Sequence, residues 1–217
     1  MLQIENVGYR YKNGDRQVLS DVSATFNPGR LHSIVGPSGS GKTTLLSILA
    51  GLDTPKSGKV YAEGEDLSTL DLDQYRRERI SMIFQAFQLF PLLTAVENVS
   101  YPMEFNGMKR VDARLKALEL LGTVGIDGDK VNRYPANLSG GEQQRVAIAR
   151  ALSSGARILL ADEPTGNLDV ENGNIVMEIL KSLAHDKGYC TIIVTHNMKI
   201  AEESDVVFHM SDGKLTQ

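Results

Sequence analysis

The sequence predicts an α/β domain built on a largely parallel sheet with helices on both faces, and three features point to it. A glycine-rich loop, Gly36-Pro37-Ser38-Gly39-Ser40-Gly41-Lys42-Thr43, stands between an apolar run (Leu31 to Val35) and helix-spaced apolar residues (Leu45, Leu46, Ile48, Leu49). The last third of the chain alternates strand-like and helix-like segments, the pattern of βαβ units. Between these, from Gln85 to about Asn137, strand patterning gives way to helical spacing, as in a mostly helical insert.

In chain order, residues 1 to 35 read as antiparallel strands, Leu2 to Tyr11, Val18 to Phe26 and Leu31 to Val35, divided by turns at Lys12-Asn13-Gly14-Asp15 and Asn27-Pro28-Gly29. Tyr9 and Tyr11 alternate onto one face. After the glycine-rich loop and its helix, Asp53-Thr54-Pro55-Lys56-Ser57-Gly58 turns into a strand, Lys59 to Ala62. Glu63-Gly64-Glu65-Asp66 turns again, and Arg79 to Phe84 is a core strand that stops at Gln85. Arg76, Arg77 and Arg79 read as a solvated helix face. Thr94 to Val99 starts one helix, and Val111, Leu115, Leu118 and Leu121 mark another. Gly122, Gly125 and Gly128 then punctuate a loop ending near Tyr134-Pro135. A helix from Gly140 to Leu152, a strand from Arg157 to Ala161, a helix from about Glu171 to Ala184, a strand from Thr191 to Thr195, and a last strand from Val206 to Met210 with its turn at Asp212-Gly213 complete the chain.

Composition narrows the function classes. The chain has 217 residues, 41% hydrophobic and 23% charged, with a formal net charge of −4. That balance argues against nucleic acid as the main partner, because such binding is driven by dense Lys/Arg patches. The single cysteine, Cys190, lies in an apolar run and is expected in a buried strand of a cytoplasmic protein. No stretch approaches the ~20 apolar residues that cross a bilayer, and Met1-Leu2-Gln3-Ile4-Glu5 does not begin like an export signal. Any link to a membrane is expected through another subunit, with no covalent anchor.

The loop from Gly36 to Thr43 has the chemistry of a phosphate cradle. Its glycines let successive N–H groups turn toward an anion, and the following helix adds the positive end of its dipole. Lys42 is expected at the β- and γ-phosphates, the Thr43 hydroxyl on a magnesium ion, and Thr44 beside them. Ile158 to Ala161 is an apolar strand ending in Asp162 and Glu163, at the strand end where open α/β sheets place ligands. Asp162 suits magnesium; Glu163 suits the attacking water. Ser139 with Glu142 forms a capping box opening a helix whose first residues are Gly140 and Gly141. Two glycines there weaken the helix by about 1 kcal/mol each against alanine, with close anion access as the return. This second helix start either holds the same nucleotide within one chain or completes the site of a neighbouring chain.

Leu138-Ser139-Gly140-Gly141-Glu142-Gln143 resembles the signature motif of ATP-binding cassette (ABC) ATPases. It stands in that family's order: phosphate loop, glutamine after a strand, signature, acidic strand end, histidine. The resemblance implies a phosphate-loop NTPase of the ABC ATPase fold, with a mixed sheet core, an antiparallel β subdomain and a helical insert. Residues 1–84 and 138–217 would form the catalytic core and about 86–137 the helical subdomain. It makes Gln85 the glutamine that contacts magnesium and senses the membrane subunit, with Gln88 the rival by type. It makes Asp169 the acid at the dimer seam and His196 the switch histidine at the γ-phosphate. His32, His185 and His209 are expected to be structural and to form no metal cluster. Tyr11 resembles the aromatic that stacks on adenine, and Tyr9 is the alternative. The implied cofactors are ATP and Mg²⁺. The implied partners are a second copy of the chain and integral membrane permease subunits that hold it on the inner face of the cell membrane.

Ala161 to Asp169, Gly51 to Pro55 and Thr94 to Val99 resemble one branch of that family. It comprises ATPases of lipoprotein-releasing systems, macrolide and antimicrobial-peptide exporters, and the cell-division ABC complex. With its last strand ending near Met210, the chain is expected to lack the C-terminal regulatory domain of many sugar importers. The alternative is a soluble ABC ATPase not coupled to transport, of the iron–sulfur assembly type.

Overall fold

The strand β3 (Arg30–Val35) is buried at five of its six residues, and its burial corrects one expectation. It does not join the antiparallel strands before it. Instead β3 runs parallel to β8 (Cys190–Thr195), with Arg30 opposite Cys190 and Val35 opposite Thr195, and parallel to β9 (Val206–Ser211) on its other side. A strand covered on both faces belongs in the centre of a parallel sheet, where neighbours arrive by crossover.

The computed structural model describes residues 1–11 and 17–217, so the turn expected at Lys12 to Asp15 lies outside the described residues. The chain divides into two units: Met1–Met82 with Arg157–Glu163 and Leu180–Gln217, and Ile83–Ala156 with Pro164–Ile179.

In the first unit, β1 (Leu2–Arg10), β2 (Gln17–Phe26), β4 (Ser57–Ala62) and β5 (Glu65–Asp66) form an antiparallel sheet in the order β2-β1-β4-β5. The second sheet has the order β10-β9-β3-β8-β7-β6, where β6 is Ile80–Ile83, β7 is Ile158–Asp162 and β10 is Lys214–Thr216. Its centre is parallel and β10 turns back antiparallel onto β9, so the sheet is mixed as the family resemblance implies. The core joins residues of both sheets, Ile4, Phe26, Ile34, Leu160, Ile192 and Phe208 among them, with Leu45, Leu46 and Leu49 of α1 (Lys42–Leu49). Fully burying each such side chain contributes about 1.5–3 kcal/mol. Cys190 is buried at the start of β8, as expected.

The short helix α2 (Leu72–Glu78) is not legible as a helix from apolar spacing, and it has a specific task. Its buried Tyr75 hydroxyl donates to the Leu49 carbonyl at 2.8 Å and Arg76 donates to the Gly51 carbonyl, satisfying carbonyls left over at the end of α1. The arginines are therefore not a uniform solvated face: Arg76 is half-buried, Arg79 pairs with Glu65 at 2.7 Å, and Arg77 is exposed.

The second unit is helical. The helix α3 (Ala95–Phe105) opens with a capping box between Thr94 and Glu97, and α4 (Arg110–Thr123) follows. Gly122 lies inside the last turn of α4 and not in a loop; the helix ends at Thr123 with Val124 as its C-cap, ahead of Gly125 at φ +72°. Two 3₁₀ turns (Gly128–Asn132, Pro135–Asn137) lead to α5 (Gly140–Leu152), and α6 (Val170–His185) begins in this unit and ends in the first. A last short helix, α7 (Met198–Glu202), precedes β9.

Candidate functional site

Three neighbouring parallel strands, β3, β8 and β7, deliver their C-terminal ends to one edge of the sheet, with Val35 opposite Thr195 and Asp162 opposite Val194. Each strand runs directly into a candidate site element: Val35 into the glycine-rich loop, Thr195 into His196, and Asp162 into Glu163. Open parallel sheets bind ligands at this edge because helix N-termini and loops converge there.

The loop is shaped by its glycines at two points. A side chain on Gly36 would come within 2.0 Å of the Met210 carbonyl oxygen, and Gly41 sits at φ +111°, where L-residues are strained. Gly41 is the N-cap of α1 and supplies no side-chain cap, so the first-turn N–H groups remain open to an anion. Lys42 is almost buried, its Nζ donating to the Gly36 carbonyl at 2.8 Å and the Pro37 carbonyl at 2.9 Å. Those two bonds hold the ammonium across the mouth of the loop. Ser40 Oγ is buried without a partner among the described residues, an arrangement that costs about 1–3 kcal/mol and that a bound acceptor relieves. Thr43 is exposed, whereas Thr44 is buried with its hydroxyl 3.0 Å from that of Tyr11.

Of the two tyrosines, Tyr9 is buried and its hydroxyl donates to Asp53 at 3.1 Å. Tyr11 packs edge-on against it, ring centres 5.1 Å apart, and keeps half its surface exposed. Only Tyr11 presents an open ring.

Asp162 is half-buried, and burial first, then the charge of Glu163, raises its pKa, with Lys42 pulling the other way. Glu163 adopts a left-handed backbone at φ +47°, which costs a non-glycine residue about 1–3 kcal/mol. The turn is held by its N–H donating to the Val194 carbonyl at 2.9 Å, and it aims the carboxylate at β8. Oε2 accepts the Thr195 hydroxyl at 3.1 Å and Oε1 lies 2.7 Å from His196 Nδ1. The Glu163 carboxylate is thus paired with the candidate histidine.

His32 is fully buried, its Nδ1 3.3 Å from the Thr191 carbonyl and its Nε2 accepting the Asn27 N–H at 3.2 Å. His185 pairs with Asp205 at 2.9 Å.

In the second unit the capping box is present: the Ser139 N–H donates to Glu142 Oε2 at 2.8 Å and the Glu142 N–H to Ser139 Oγ at 3.2 Å. The bond from Ser139, then Lys130 at 3.0 Å, holds the Glu142 carboxyl below its usual pKa. The two glycines have different reasons. A Cβ on Gly140 would meet Leu168 and Phe87 at an ordinary 3.7 Å, so packing does not forbid a side chain there. A side chain on Gly141 would meet Asn172 Oδ1 at 2.0 Å, so packing, which spacing did not reveal, forbids one there. Asn172 itself is tied to Asp169, its N–H on Oδ1 and its Nδ2 on Oδ2, each at 2.8 Å. Asp169 thus caps the start of α6, and these bonds lower its pKa.

Gln85 is exposed and its side chain donates to Asn167 at 3.2 Å. Gln88 and the residue before it, Phe87, both have positive φ, and Arg150 of α5 donates to both carbonyls, at 2.6 Å and 3.1 Å. Sequence reasoning missed Asn167, Asn172 and Arg150. The asparagine three residues after Asp169 is the one local signal, since Asp-x-x-Asn is a helix-capping spacing.

A family profile described as ABC transporter matches residues 19–166. The chain belongs to the ABC transporter family. It is 40% identical over 216 residues to the ABC transporter ATP-binding protein YclH of Bacillus subtilis, covering 100% of this chain and 96% of that protein. It is 46% identical over 220 residues to the macrolide export ATP-binding/permease protein MacB of Salmonella typhimurium, covering 99% of this chain and 34% of that protein. The chain thus spans about a third of the length of the macrolide export proteins it matches. Among solved structures it is similar to the cassette MJ0796, a dimer bound to ADP and Pi in a post-hydrolysis state, with TM-score 0.90 and 40% identity over 100% of this chain and 97% of that one. For cbiO1 of Clostridium perfringens, part of the transporter complex cbiONQ, the TM-score is 0.91 at 28% identity, over 100% and 86%. The ABC ATPase fold, ATP binding and ATP hydrolysis are accordingly properties of this chain. Among its described residues no helix is long and apolar enough to cross a membrane.

Proposed function

We propose that this ABC ATPase works as a homodimer that sandwiches two ATP–Mg²⁺ between the Gly36–Thr43 loop of one copy and the Ser139 helix of the other, and so drives integral membrane permease subunits. The observation that carries this reading is the shared sheet edge of β3, β8 and β7, which brings a phosphate loop, Glu163 and His196 to one place in one unit. Hydrolysis is phosphoryl transfer to water. Lys42 neutralises charge developing on the γ-phosphate, Glu163 orients and deprotonates the attacking water, and His196 stabilises the γ-phosphate oxygens. The loop from Gly36 to Thr44 cradles the phosphates, Tyr11 stacks on adenine, Ser139, Gly140, Gly141 and Glu142 face the partner's nucleotide, and Asp169 lies at the seam.

Magnesium fits the donors. The Thr43 hydroxyl, the Asp162 carboxylate and the Gln85 amide oxygen are hard oxygen ligands, few in number, as this cation takes when phosphates and waters supply the rest. Burial destabilises the Asp162 anion, and a neighbouring cation offsets that. A bound ion would supply positive charge that neutralises the phosphate oxygens.

The catalytic core comprises residues 1–84 and 138–217, and the helical part about 86–137. The permease holds the chain at the cytoplasmic face of the membrane, and the macrolide-export relatives favour an exporter or a complex that does mechanical work. Two measurements test this. Specific ATPase activity of the purified chain rises with its concentration, and a multi-spanning membrane protein co-purifies with it. Activity independent of concentration, with soluble assembly proteins recovered instead, contradicts the reading.

A further inference from the structure

The side chains of Gln85 and Asn167 are joined twice. Asn167 Nδ2 donates to the Gln85 backbone carbonyl at 2.9 Å, and Gln85 Nε2 donates to Asn167 Oδ1 at 3.2 Å. The first bond fixes the second. A backbone carbonyl only accepts, so Asn167 must turn its NH₂ toward Gln85 O and its Oδ1 toward the Gln85 side chain. Oδ1 only accepts as well, so Gln85 must offer its own NH₂. The Gln85 amide then has one orientation, and among the described residues no hydrogen bond engages Oε1, its only cation-binding atom.

A separate observation bears on the same side chain. Gly166 has an ordinary negative φ, so its backbone does not demand glycine, yet a Cβ there would lie 2.8 Å from Gln85 Nε2 and 3.2 Å from its Cδ. The missing side chain is the space the Gln85 amide occupies. The loop that carries Gly166 and Asn167 is itself anchored at both ends. The buried Gln144 donates to the Pro164 carbonyl at 2.7 Å, and Asp169 is held by Asn172.

We infer that Asn167 is a positioning residue that, with the bare Gly166, sets which end of the Gln85 amide is presented, keeping Oε1 outward for a divalent cation. The magnesium part of this rests on the reading of Gln85 given under Proposed function; the orientation does not. A carboxylate at position 167 cannot do the same, since it has no donor for the Gln85 carbonyl.

The test begins without nucleotide or metal, in protein labelled with ¹⁵N at glutamine and asparagine side chains. In Asn167→Ala and in Gly166→Ala the Gln85 side-chain NH₂ signals move toward those of a free amide, while those of Gln144 stay in place. Both variants remain folded, because the atoms displaced are the far end of an exposed side chain. In ATP turnover, the magnesium concentration for half-maximal rate rises roughly threefold to tenfold in each, the scale of one net hydrogen bond. The rate at saturating magnesium changes little. Adding Asn167→Ala to Gln85→Ala gives no further rise. Unmoved Gln85 NH₂ signals in Asn167→Ala overturn the positioning role. Moved signals with an unchanged magnesium dependence in Asn167→Ala, while Gln85→Ala does change it, overturn the link from orientation to metal. If Gln85→Ala also leaves the magnesium dependence unchanged, the assignment of Gln85 as a ligand is what fails, and the metal part of the inference falls with it.

Discussion

His196 Nδ1 stands 2.7 Å from Oε1 of Glu163, and the other oxygen of the same carboxylate accepts the Thr195 hydroxyl. The β7 strand and its neighbour β8 thus end in a single hydrogen-bonded unit. The unit forms where β7 ends and the Glu163 backbone turns left-handed, with the Glu163 N–H on the Val194 carbonyl of β8.

Glu163→Gln keeps the shape of that unit and removes the base. ATP turnover is expected to fall about 10²- to 10⁴-fold, the usual contribution of general-base catalysis, with ATP binding retained. Because the closed state is no longer emptied by hydrolysis, a nucleotide-dependent dimer accumulates. Steady-state turnover and light scattering with ATP measure both; a fully nucleotide-bound variant that stays monomeric at high concentration counts against the mechanism.

Lys42→Ala removes an ammonium that in this structure bridges the Gly36 and Pro37 carbonyls. Its loss takes away a preorganised charge at the γ-phosphate, so turnover is expected to fall by about 10²-fold or more. The fold persists, since both carbonyls lie in a loop that α1 and β3 anchor. Near-normal turnover with an unchanged melting profile would contradict the site assignment.

Stability should depend on pH through His32. Burial lowers its pKa, with the Thr191 carbonyl, Asp205 and the Arg30 backbone opposing and the Arg30 charge adding to the shift. The folded-state pKa lies below the ordinary value near 6.5, so below that pH the unfolded chain binds the proton more readily. The stabilisation of the neutral form is complete above pH ~6.5 and is lost as pH falls toward the folded-state pKa, at up to about 1.4 kcal/mol per pH unit. Protonation also removes the acceptor of the Asn27 N–H. Denaturant midpoints between pH 7.5 and 5.5 should fall more steeply for the natural chain than for His32→Gln; equal slopes would rule the histidine out.

Much of this was readable from residue order because the signals were local. A glycine loop between an apolar strand and a helix, two carboxylates ending an apolar strand, and Ser139 three residues before Glu142 each state their own geometry. The placement of β3 was not local. Its parallel partners are β8 and β9, more than 150 residues away, and only burial on both faces distinguishes it from the hairpin strands before it. The helix α2 was legible only as a charged face around Arg76 and Arg77, because it buries one side chain, Tyr75, and leaves no apolar stripe that gives its bounds or its packing. Gly141 read as anion access, and Gly166 only as part of a family motif. Each in fact makes room for one amide side chain, of Asn172 and of Gln85, and no spacing rule predicts such a contact.

If each nucleotide site draws its phosphate loop from one copy and its Ser139 helix from the other, a mixture of Lys42→Ala and Ser139→Arg chains should recover what each variant lacks. Neither variant alone can assemble an undamaged site. In a mixed dimer, one site takes its loop from the Ser139→Arg chain and its helix from the Lys42→Ala chain and is intact, while the other carries both defects. Sandwiched ATP binding, lost in each variant alone, is expected to reappear on mixing at one site per dimer, with hydrolysis following if a single site can act. Ser139→Arg chains that bind and hydrolyse ATP like the natural chain, at every concentration and without mixing, would contradict the composite site.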